Sequence, residues 1–586
     1  MSTFLTAQSL TLSYSSASLF KDLSLTIHRG DKIGLIGHNG CGKSSLLKLL
    51  DGQLEASHGQ IAKANSCLMR YVEQHIPHTL QATTVLSALS EMLTEDEYWR
   101  AELLLDELGF SPSEWHMPVA HCSGGQQMRL LLARAIIHQP DLLLLDEPSN
   151  HLDLPALLWL EQFLSSWRGA FILVSHDQTL LDAVTNTTWV MRDQALHHFA
   201  LPCSLARAAL KEKDEADRLR HLSEQKEIDR IAKSAKRLAT WGKVYDNEDL
   251  ARKAKTMLAR KERLEEEQTE LSEGTPWTLT LQGETLPANR LVEITPFSVK
   301  PLAVKSAAET GPGQVSLFEI GDMRIKSGDR IAVIGSNGCG KSTLLNQLYN
   351  IYQASEDSQS TPQAVTFHDR CRLGYYDQTQ QQLRDQDTIS DALLSFGSLS
   401  TEQCKRALIS AGFAYVRHQQ TVASLSGGER ARLLFVGLTL ARYHLLFLDE
   451  PTNHLDMEGK EALIETLNQF EGATLLVSHD RSLIEQSCNR FWLIQHGVLT
   501  EYLSPEAVYQ QLSSQPSQPA VHAEPGETGA EPSETGTAMS DEEQLLDRLI
   551  TLETLLEEDL NRRPKHQKPH LQQQWRAEIA RLNTLI

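Results

Sequence analysis

Two short segments of the chain combine glycines, a lysine and a serine at the spacing that phosphate binding requires. Residues 37–44 read GHNGCGKS and residues 335–342 read GSNGCGKS. Such a loop turns its backbone N–H groups toward phosphate oxygens, its lysine neutralises the phosphates, and its serine hydroxyl is a ligand for Mg²⁺. The two predicted nucleotide sites contain Gly37, His38, Asn39, Gly40, Cys41, Gly42, Lys43, Ser44 and Ser45, and Gly335, Ser336, Asn337, Gly338, Cys339, Gly340, Lys341, Ser342 and Thr343.

An acidic pair and a histidine follow each loop at the ends of apolar segments. The segments LLLLDE and LLFLDE end in the acids, and FILVSH and TLLVSH end in the histidines. Ligands of open α/β sheets bind at the carboxyl ends of the strands, so these side chains belong to the same predicted sites. We expect the aspartates and the loop serines to hold Mg²⁺, the glutamates to orient the attacking water and the histidines to contact the γ-phosphate. These residues are Asp146, Glu147 and His176 in the first set and Asp449, Glu450 and His479 in the second.

The matched spacing of these motifs indicates a tandem duplication. A Ser-Gly-Gly motif precedes the glutamate by 24 positions in both sets, and the histidine follows it by 29 positions in both. A lone histidine at the end of a strand is most often a structural residue, and a lone glycine-rich motif can be a tight turn before a helix. Their recurrence at equal distances favours the catalytic interpretation. The chain therefore contains two α/β nucleotide-binding domains in tandem.

Length and composition limit the class of protein. The 586 residues are too many for one core and suggest three or four domains. No apolar run approaches the roughly 18 residues of a membrane helix, and the N-terminus has no basic segment followed by an apolar one. The eight cysteines include no C-x-x-C pair, which argues against a zinc site or a disulfide framework and favours reduced thiols. We therefore expect a cytoplasmic protein that is neither secreted nor embedded in a membrane.

Charge is distributed unevenly along the chain, whose formal net charge is −21. Residues 521–560 include 12 acidic residues and one basic residue, whereas residues 226–263 include 12 basic and 6 acidic residues. The basic region lies within a segment, 203–275, that has no proline and has apolar residues at helical spacing. This pattern predicts two antiparallel helices with a tip near residues 241–249.

Basic side chains around this tip accompany an aromatic residue. Lysines and arginines contact RNA phosphates, and an exposed aromatic ring can stack on an unpaired base. A solvated helical spacer explains the same composition equally well, so the residues alone leave both interpretations open. The candidates for RNA contact are Lys233, Lys236, Arg237, Trp241, Lys243, Arg252, Lys253 and Lys255.

Together these motifs resemble the nucleotide-binding domains of the ABC ATPase superfamily over most of the chain. The resemblance implies that the domains close head to tail on two ATP molecules, with each phosphate loop facing the signature motif of the other domain. It implies Gln74 and Gln378 of the Q-loops as Mg²⁺ ligands, D-loops at residues 149–153 and 452–456, and Tyr14 as the ring that stacks on adenine. No aromatic residue stands at the corresponding place, 311–314, before the second loop. The signatures are Ser123, Gly124, Gly125 and Gln126, and Ser426, Gly427, Gly428 and Glu429.

Within that superfamily the chain looks like the ABC-F class, whose members act on ribosomes. Two nucleotide-binding domains without a membrane segment, and Asn-His-Leu-Asp in both D-loops, are typical of this class. The resemblance implies an ATPase that binds the ribosome in its ATP-closed state, reaches ribosomal RNA and the P-site tRNA with its interdomain linker, and is released on hydrolysis. Two alternatives stay open: the motor subunit of an ABC transporter with a separate membrane chain, and an antibiotic-resistance protein that protects the ribosome.

The predicted fold class is α/β, with two P-loop NTPase domains of ABC type in tandem, an α-helical hairpin linker between them and a short C-terminal coiled-coil hairpin. The expected bounds are 1–202 for the first domain, 203–275 for the linker and 276–512 for the second domain. A disordered tether rich in Pro, Ser, Glu, Thr and Gly follows at 513–540, and the hairpin at 541–586. The basic junction of that hairpin suits nucleic acid, and its leucines suit self-association equally well.

Overall fold

A computed structural model describes most of the chain up to residue 513. The described residues lie in one compact unit, which spans residues 1–517. The tether and hairpin predicted at 513–540 and 541–586 lie outside the described residues, except for residue 513, which ends a helix. The described residues are 2–14, 17–74, 76–150, 152–244, 248–266, 268, 286, 290–301, 316–356, 364–378, 380, 382–396, 400–453 and 455–513.

The first domain contains a six-stranded sheet, a three-stranded antiparallel sheet and the helices that pack on them. The large sheet has the order β5-β6-β7-β3-β8-β9 and the small sheet the order β2-β1-β4. The strands are β1 (Thr3–Tyr14), β2 (Ala17–His28), β3 (Lys32–Gly37), β4 (His58–Lys63), β5 (Met69–Val72), β6 (Leu142–Asp146), β7 (Ala170–Val174), β8 (Thr187–Arg192) and β9 (Ala195–Phe199). The helices are α1 (Lys43–Asp51), α2 (Val85–Ser90), α3 (Tyr98–Glu107), α4 (Gly124–Ile136), α5 (Leu154–Ser166) and α6 (Gln178–Val184).

The order of the parallel strands explains why three separate motifs converge. Strands β5, β6, β7, β3 and β8 run parallel, and β9 is antiparallel to β8. Parallel strands covered on both faces are apolar along their whole length, and every residue of β6 and β7 is buried. Because β3, β7 and β6 are neighbours, the loop after β3, the acids at the end of β6 and the histidine after β7 meet at one edge of the sheet.

Two helices, α7 (Cys203–Val244) and α8 (Glu248–Glu266), follow the first domain. At about 1.5 Å per residue, the 42 residues of α7 extend over ~63 Å. Arg260 of α8 pairs with Glu227 of α7 at 3.3 Å, and the Gln268 amide donates a hydrogen bond to Gln225. Later positions of α8 thus meet earlier positions of α7, so the helices are antiparallel. In the part of the chain that the structure describes, no helix is both long enough and apolar enough to cross a membrane.

The second domain repeats the arrangement of the first. Its large sheet has the order β11-β12-β20-β19-β14-β18-β17-β16, and its small sheet the order β13-β10-β15. The strands are β10 (Val292–Ile294), β11 (Phe297–Val299), β12 (Phe318–Ile320), β13 (Met323–Ile325), β14 (Arg330–Gly335), β15 (Val365–Phe367), β16 (Leu373–Tyr376), β17 (Leu445–Asp449), β18 (Ala473–Val477), β19 (Arg490–Gln495) and β20 (Val498–Tyr502). The helices are α9 (Lys341–Glu356), α10 (Ile389–Leu394), α11 (Thr401–Ser410), α12 (Gly427–Ala441), α13 (Met457–Gln469), α14 (Arg481–Ser487) and α15 (Pro505–Ser513).

The two domains contact each other through the helices that follow the D-loops. Leu154 of α5 is buried in an apolar cluster of the second domain that includes Ile334 and Val508. In the reverse direction, Met457 of α13 is buried in the core of the first domain. Each of these helices therefore packs on the opposite domain, and each begins seven residues after the glutamate of its own acidic pair.

Candidate functional site

The phosphate loops lie between β3 and α1 in the first domain and between β14 and α9 in the second. Gly40 and Gly42 have φ values of 83° and 104°, and Gly338 and Gly340 have values of 78° and 107°. This left-handed backbone favours glycine strongly, so the curvature of the loop requires glycines at these places. Gly42 is also the N-cap of α1, where the free N–H groups of a helix start favour an anion.

The loop lysines are buried and bonded to their own loops. Lys43 Nζ donates to the carbonyl oxygens of Gly37 at 2.8 Å and of His38 at 3.2 Å. Lys341 makes the equivalent two bonds in the second domain, each at 2.9 Å. Each ammonium group thus lies within its loop, where phosphate oxygens can replace the carbonyl partners.

The serine and the aspartate predicted to hold Mg²⁺ are in contact in both domains. Ser44 Oγ donates to Asp146 Oδ1 at 2.9 Å, and Ser342 Oγ donates to Asp449 Oδ1 at 3.0 Å. Burial raises the pKa of Asp449 to about 6, in spite of the hydrogen bond from Ser342. A nearby cation would oppose that shift. Since hydroxyl and carboxylate oxygens are ligands that Mg²⁺ prefers, these residues fit a magnesium ion in each domain.

The predicted catalytic glutamates have the same strained backbone, with φ of 51° at Glu147 and 49° at Glu450. Residues other than glycine seldom occupy this left-handed region, and such strain clusters at functional sites. His176 Nε2 lies 3.2 Å from Glu147 Oε1, and His479 Nε2 lies 3.5 Å from Glu450 Oε1. The structure therefore brings together, in both domains, the glutamate and the histidine that the sequence analysis assigned to catalysis.

Burial controls the protonation of these pairs. It raises the pKa of Glu147 to about 7 and that of Glu450 to about 8. Burial lowers the pKa of His176, and lowers that of His479 to about 3, and the phosphate-loop lysines lower both histidine pKa values further. Near neutral pH the histidines are therefore uncharged, and the glutamates are close to the point at which they exchange a proton. A base that activates water requires such a pKa.

Both sites open into one cavity of about 900 Å³ between the domains. Residues of both phosphate loops line it, together with both predicted catalytic glutamates and histidines, the Q-loop residues Gln74 and Gln378, and parts of both D-loops. The signature segments 123–126 and 426–429 are described in full, and none of their residues is in this lining. The expectation that each phosphate loop faces the opposite signature stays a prediction. The domains meet through the D-loops and the helices after them, which brings the two phosphate loops to the same cavity.

The signature serines cap helices. The Ser123 hydroxyl accepts the N–H of Gln126 at the start of α4, and the Gln126 side chain bonds back to the Ser123 N–H. Gln126 Nε2 also donates to Glu114 Oε1 at 2.6 Å. Ser426 and Glu429 form the same capping box at the start of α12. Such a box satisfies N–H groups that a helix start otherwise leaves without partners, and so it fixes the position of the signature glycines.

The remaining predicted site residues lie near the linker tip or at the adenine position. The side chains of Tyr14 and Lys243 are outside the described part, so stacking of adenine on Tyr14 stays a prediction. Trp241 is 47% exposed, and the Arg237 guanidinium lies 5.4 Å from the centre of its ring. The other candidates for RNA contact are exposed on α7 and α8, namely Lys233, Lys236, Arg252, Lys253 and Lys255.

Two side chains that the sequence analysis did not assign take part in the sites. Tyr71 OH donates to Asp146 Oδ2 at 2.8 Å and so holds the second oxygen of that carboxylate. Lys460 of α13 donates to the carbonyl oxygen of His176 in the other domain at 3.0 Å. A repeated pattern does mark Tyr71, because a tyrosine stands three residues before the Q-loop glutamine in both copies, at Tyr71 and Tyr375. When the two copies are aligned position by position, Lys460 is found where the first copy has a leucine, and this difference could have drawn attention to it.

The fold and the two sites define a protein with two ATP-binding cassettes of the ABC type. The family model described as ABC transporter matches residues 20–150 and 319–453, which hold the phosphate loop, signature and acidic pair of each domain. Among solved structures, the complex of archaeal ribosomal stalk protein aP1 and archaeal ribosome recycling factor aABCE1 matches with a TM-score of 0.57 at 19% identity, over 86% of this chain and 92% of that chain. The predicted tandem α/β fold is therefore confirmed.

Similarity to curated proteins identifies the family within the ABC-type proteins. The chain is 31% identical over 550 residues to Probable ATP-binding protein YheS of Haemophilus influenzae, across 86% of this chain and 81% of the relative. It is 30% identical over 558 residues to ABC transporter F family member 4 of Arabidopsis thaliana, across 84% and 74%. It is 29% identical over 506 residues to Ribosome protection protein VmlR of Bacillus subtilis, across 83% and 86%. The chain belongs to the ABC-F family, as its motifs predicted.

Proposed function

We propose that the protein is an ATPase that binds the ribosome in an ATP-closed state and leaves it after hydrolysis. The observation that carries the proposal is the convergence of two complete sets of phosphate loop, acidic pair and histidine on one cavity between the domains. A ligand bound there interacts with both domains, so it favours the arrangement in which both sets of contacts are made. ATP with Mg²⁺ is the ligand that the loops and the oxygen donors suit.

Each site has the groups that hydrolysis of ATP needs. Glu147 Oε2 is buried and accepts no hydrogen bond, which leaves an acceptor for the attacking water. His176 is held against the other oxygen of that carboxylate and is uncharged, so it can contact the γ-phosphate without neutralising the base. Lys43 would exchange its bonds to loop carbonyls for bonds to phosphate oxygens. When bound beside Ser44 and Asp146, Mg²⁺ would neutralise charge that develops on the transferred phosphate. The second domain supplies Lys341, Ser342 and Asp449 in the same roles, but there the carboxylate oxygen that accepts no hydrogen bond is Glu450 Oε1, the one 3.5 Å from His479 Nε2.

The linker is tied to both domains near its base. Arg192 of β8 pairs with Asp214 of α7 at 2.6 Å, which holds α7 on the first domain. Arg207 and Lys211 of α7 both pair with Glu461 of α13, which holds it on the second. A change in the angle between the domains must therefore move the start of α7 or break one of these pairs. Over a helix of ~63 Å, a rotation of about 10° displaces the tip by ~11 Å.

The linker tip suits contact with RNA. Its exposed lysines and arginines can neutralise phosphates, and Trp241 offers a half-exposed ring to an unpaired base. We infer that the tip contacts ribosomal RNA and the P-site tRNA, and that the protein acts in the cytoplasm. The similarity to a ribosome protection protein supports the ribosome as the partner. The net charge of −21 does not oppose this, because the cations are concentrated in the linker.

The same similarity favours a second candidate function, antibiotic resistance through protection of the ribosome. The two candidates share the partner, the ATP-closed state and the linker contact, and they differ in whether a bound drug is the physiological signal. The transporter alternative leaves the basic helical hairpin without a role.

The test uses the double variant Glu147→Gln with Glu450→Gln, which keeps the shape of both side chains and removes both bases. The variant is sedimented with purified ribosomes through sucrose, with and without ATP, after ATP binding has been measured directly. We expect co-sedimentation that requires ATP, whereas the wild type should be released as it hydrolyses ATP. If the variant binds ATP and stays off the ribosome, the ribosome is the wrong partner.

A further inference from the structure

Among the positions at which the two copies differ, one beside the predicted catalytic sites exchanges an apolar residue for a cation. Asp153 ends the first D-loop and caps α5, and Asp456 does the same for α13. The fourth residue after this aspartate is Leu157 in the first domain and Lys460 in the second. Both residues line the cavity between the domains. The second domain thus presents a cation, Lys460, to the cavity, and the first domain presents an apolar residue, Leu157, at the equivalent position.

Lys460 connects the two segments that carry the catalytic histidines. Its Nζ lies 2.6 Å from Asp480 Oδ2, next to His479 of its own domain. The same Nζ donates to the carbonyl oxygen of His176 in the first domain at 3.0 Å. The side chain is 17% exposed, so water competes weakly for these bonds.

The charge of Lys460 is retained in this environment. Burial alone would lower its pKa, but the carboxylate of Asp480, followed by Asp177 and Glu147, raises it. The ammonium group is therefore charged at neutral pH and acts on carboxylates of both domains. Leu157 cannot provide an equivalent group, since it is buried in the core of the first domain.

We propose that Lys460 is a positioning residue that the second domain supplies to the first catalytic site. By holding the carbonyl oxygen of His176, it fixes the His176 ring against Glu147. The first site then works only when α13 of the second domain is docked, whereas the second site receives no such group from Leu157. The two sites are therefore unequal, and hydrolysis at the first depends on contact between the domains. This inference rests on the proposed hydrolysis of ATP.

The test measures each site separately in single-turnover hydrolysis with the full chain. Glu450→Gln leaves only the first site competent, and Glu147→Gln leaves only the second. In the first background, we expect Lys460→Leu to lower the rate constant of hydrolysis at least tenfold while the ATP concentration for half-saturation changes less than threefold. In the second background, we expect a change below threefold. Lys460→Arg, which keeps the charge and the donors, should restore most of the first-site rate.

Two further variants separate positioning from loss of stability. Lys460→Leu leaves Asp480 buried without its partner, which can unfold the chain. Lys460→Leu with Asp480→Asn removes both charges, and asparagine still caps α14. Compared with Asp480→Asn alone, this double variant should show the same first-site loss. Glu161→Gln is the matched control, because it removes the ion pair to Arg481 between the domains outside the sites. It should leave the first-site rate within twofold.

The outcomes distinguish this inference from the proposed function. If the wild type hydrolyses no ATP, the proposed function fails. If it hydrolyses ATP and Lys460→Leu slows both sites equally, or slows neither, Lys460 is not a positioning residue for the first site. A first-site loss that Glu161→Gln reproduces would show a general effect of domain contact and would overturn the assignment to Lys460.

Discussion

The backbone N–H of Asn337 donates a hydrogen bond to Oδ2 of Asp153 at 2.9 Å, across the boundary between the domains. Oδ1 of the same carboxylate accepts the N–H of Ala156 at 3.1 Å and caps α5. Asn337 belongs to the second phosphate loop and Asp153 to the first D-loop. One carboxylate therefore joins the start of an interface helix to the loop that would hold ATP in the other domain.

Substitution Asp153→Ser should separate these two roles. Serine caps a helix about as well as aspartate, but it has no second oxygen for Asn337. We expect stability within about 0.5 kcal/mol of the wild type, and weaker ATP binding at the second site, by about threefold to tenfold. ATP titration in a Lys43→Ala background, which disables the first loop, measures this. Asp153→Ala also loses the cap and should cost about 1 kcal/mol more. Unchanged ATP affinity in Asp153→Ser would mean that the Asn337 bond does not shape the loop.

Single substitutions of the predicted catalytic glutamates should halve the amount of phosphate released in the first turnover. Glutamine keeps the shape of the side chain but cannot take a proton from water. Glu147→Gln and Glu450→Gln should each release one phosphate per protein from two bound ATP, and the double variant should release none. Rapid-quench measurement of phosphate gives these stoichiometries. Release of two phosphates by either single variant would contradict the assignment of that glutamate.

Charge reversal at the linker tip should weaken ribosome binding. Arg252, Lys253 and Lys255 changed to Glu remove up to three phosphate contacts. The slope of log K against log salt should then flatten by roughly 2 to 3. The matched control is reversal of Lys213, Arg218 and Arg220, which are exposed on α7 far from the tip and change the net charge equally. If both triple variants lose the same affinity, the effect is one of net charge, and the tip is a spacer.

Removing the carboxylate of Glu461 should uncouple the linker from the second domain. Glu461→Gln loses the pairs with Arg207 and Lys211 but touches neither site. We expect ATP hydrolysis by the free protein within twofold of the wild type, and at least a threefold loss of any stimulation by ribosomes. Glu465→Gln, an exposed change on the same helix, is the control. Full stimulation in Glu461→Gln would exclude these pairs as the connection.

The same residue gives a prediction about pH. Burial alone would raise the pKa of Glu461, but the hydrogen bond and charge of Arg207, with Lys211, lower it. A lowered pKa stabilises the folded state above the ordinary value of about 4.3, and the effect is lost as pH falls through the lowered value. The difference in melting temperature between the wild type and Glu461→Gln should therefore be complete at pH 7 and should shrink as pH falls below about 4.3. A difference that does not change over this range would have another origin.

Most of each site could be predicted because its residues depend on local sequence and on strand order. The glycines of a phosphate loop, and the acids that end an apolar strand, carry their role in their own neighbourhood. Because neighbouring parallel strands end at the same edge of the sheet, their order is enough to predict that Lys43, Asp146 and His176 lie close together. The duplication favours a functional role for both histidines, because chance rarely repeats a spacing, and that role stays a prediction.

Contacts between the domains could not be predicted in the same way. The bond from Lys460 to His176 joins residues 284 positions apart and depends on how α13 packs against the first domain. The backbone strain at Glu147 leaves no trace in residue type, since glycine would be the expected residue there. The structure places both phosphate loops at one cavity and joins the domains through the D-loop helices, whereas the facing of each loop and the opposite signature stays a prediction from the resemblance.

The burial of Leu154 in the second domain has a consequence for synthesis of the chain. Its partner Val508 emerges from the ribosome about 350 residues later. At about 5–20 residues per second, the apolar face of α5 is exposed for roughly 20 to 70 s. During this period the nascent first domain is folded around its own sheet, but the apolar face of α5 is still exposed to solvent and can bind other apolar surfaces. Chaperone demand should be greatest in that interval, and it should end when α15 is complete.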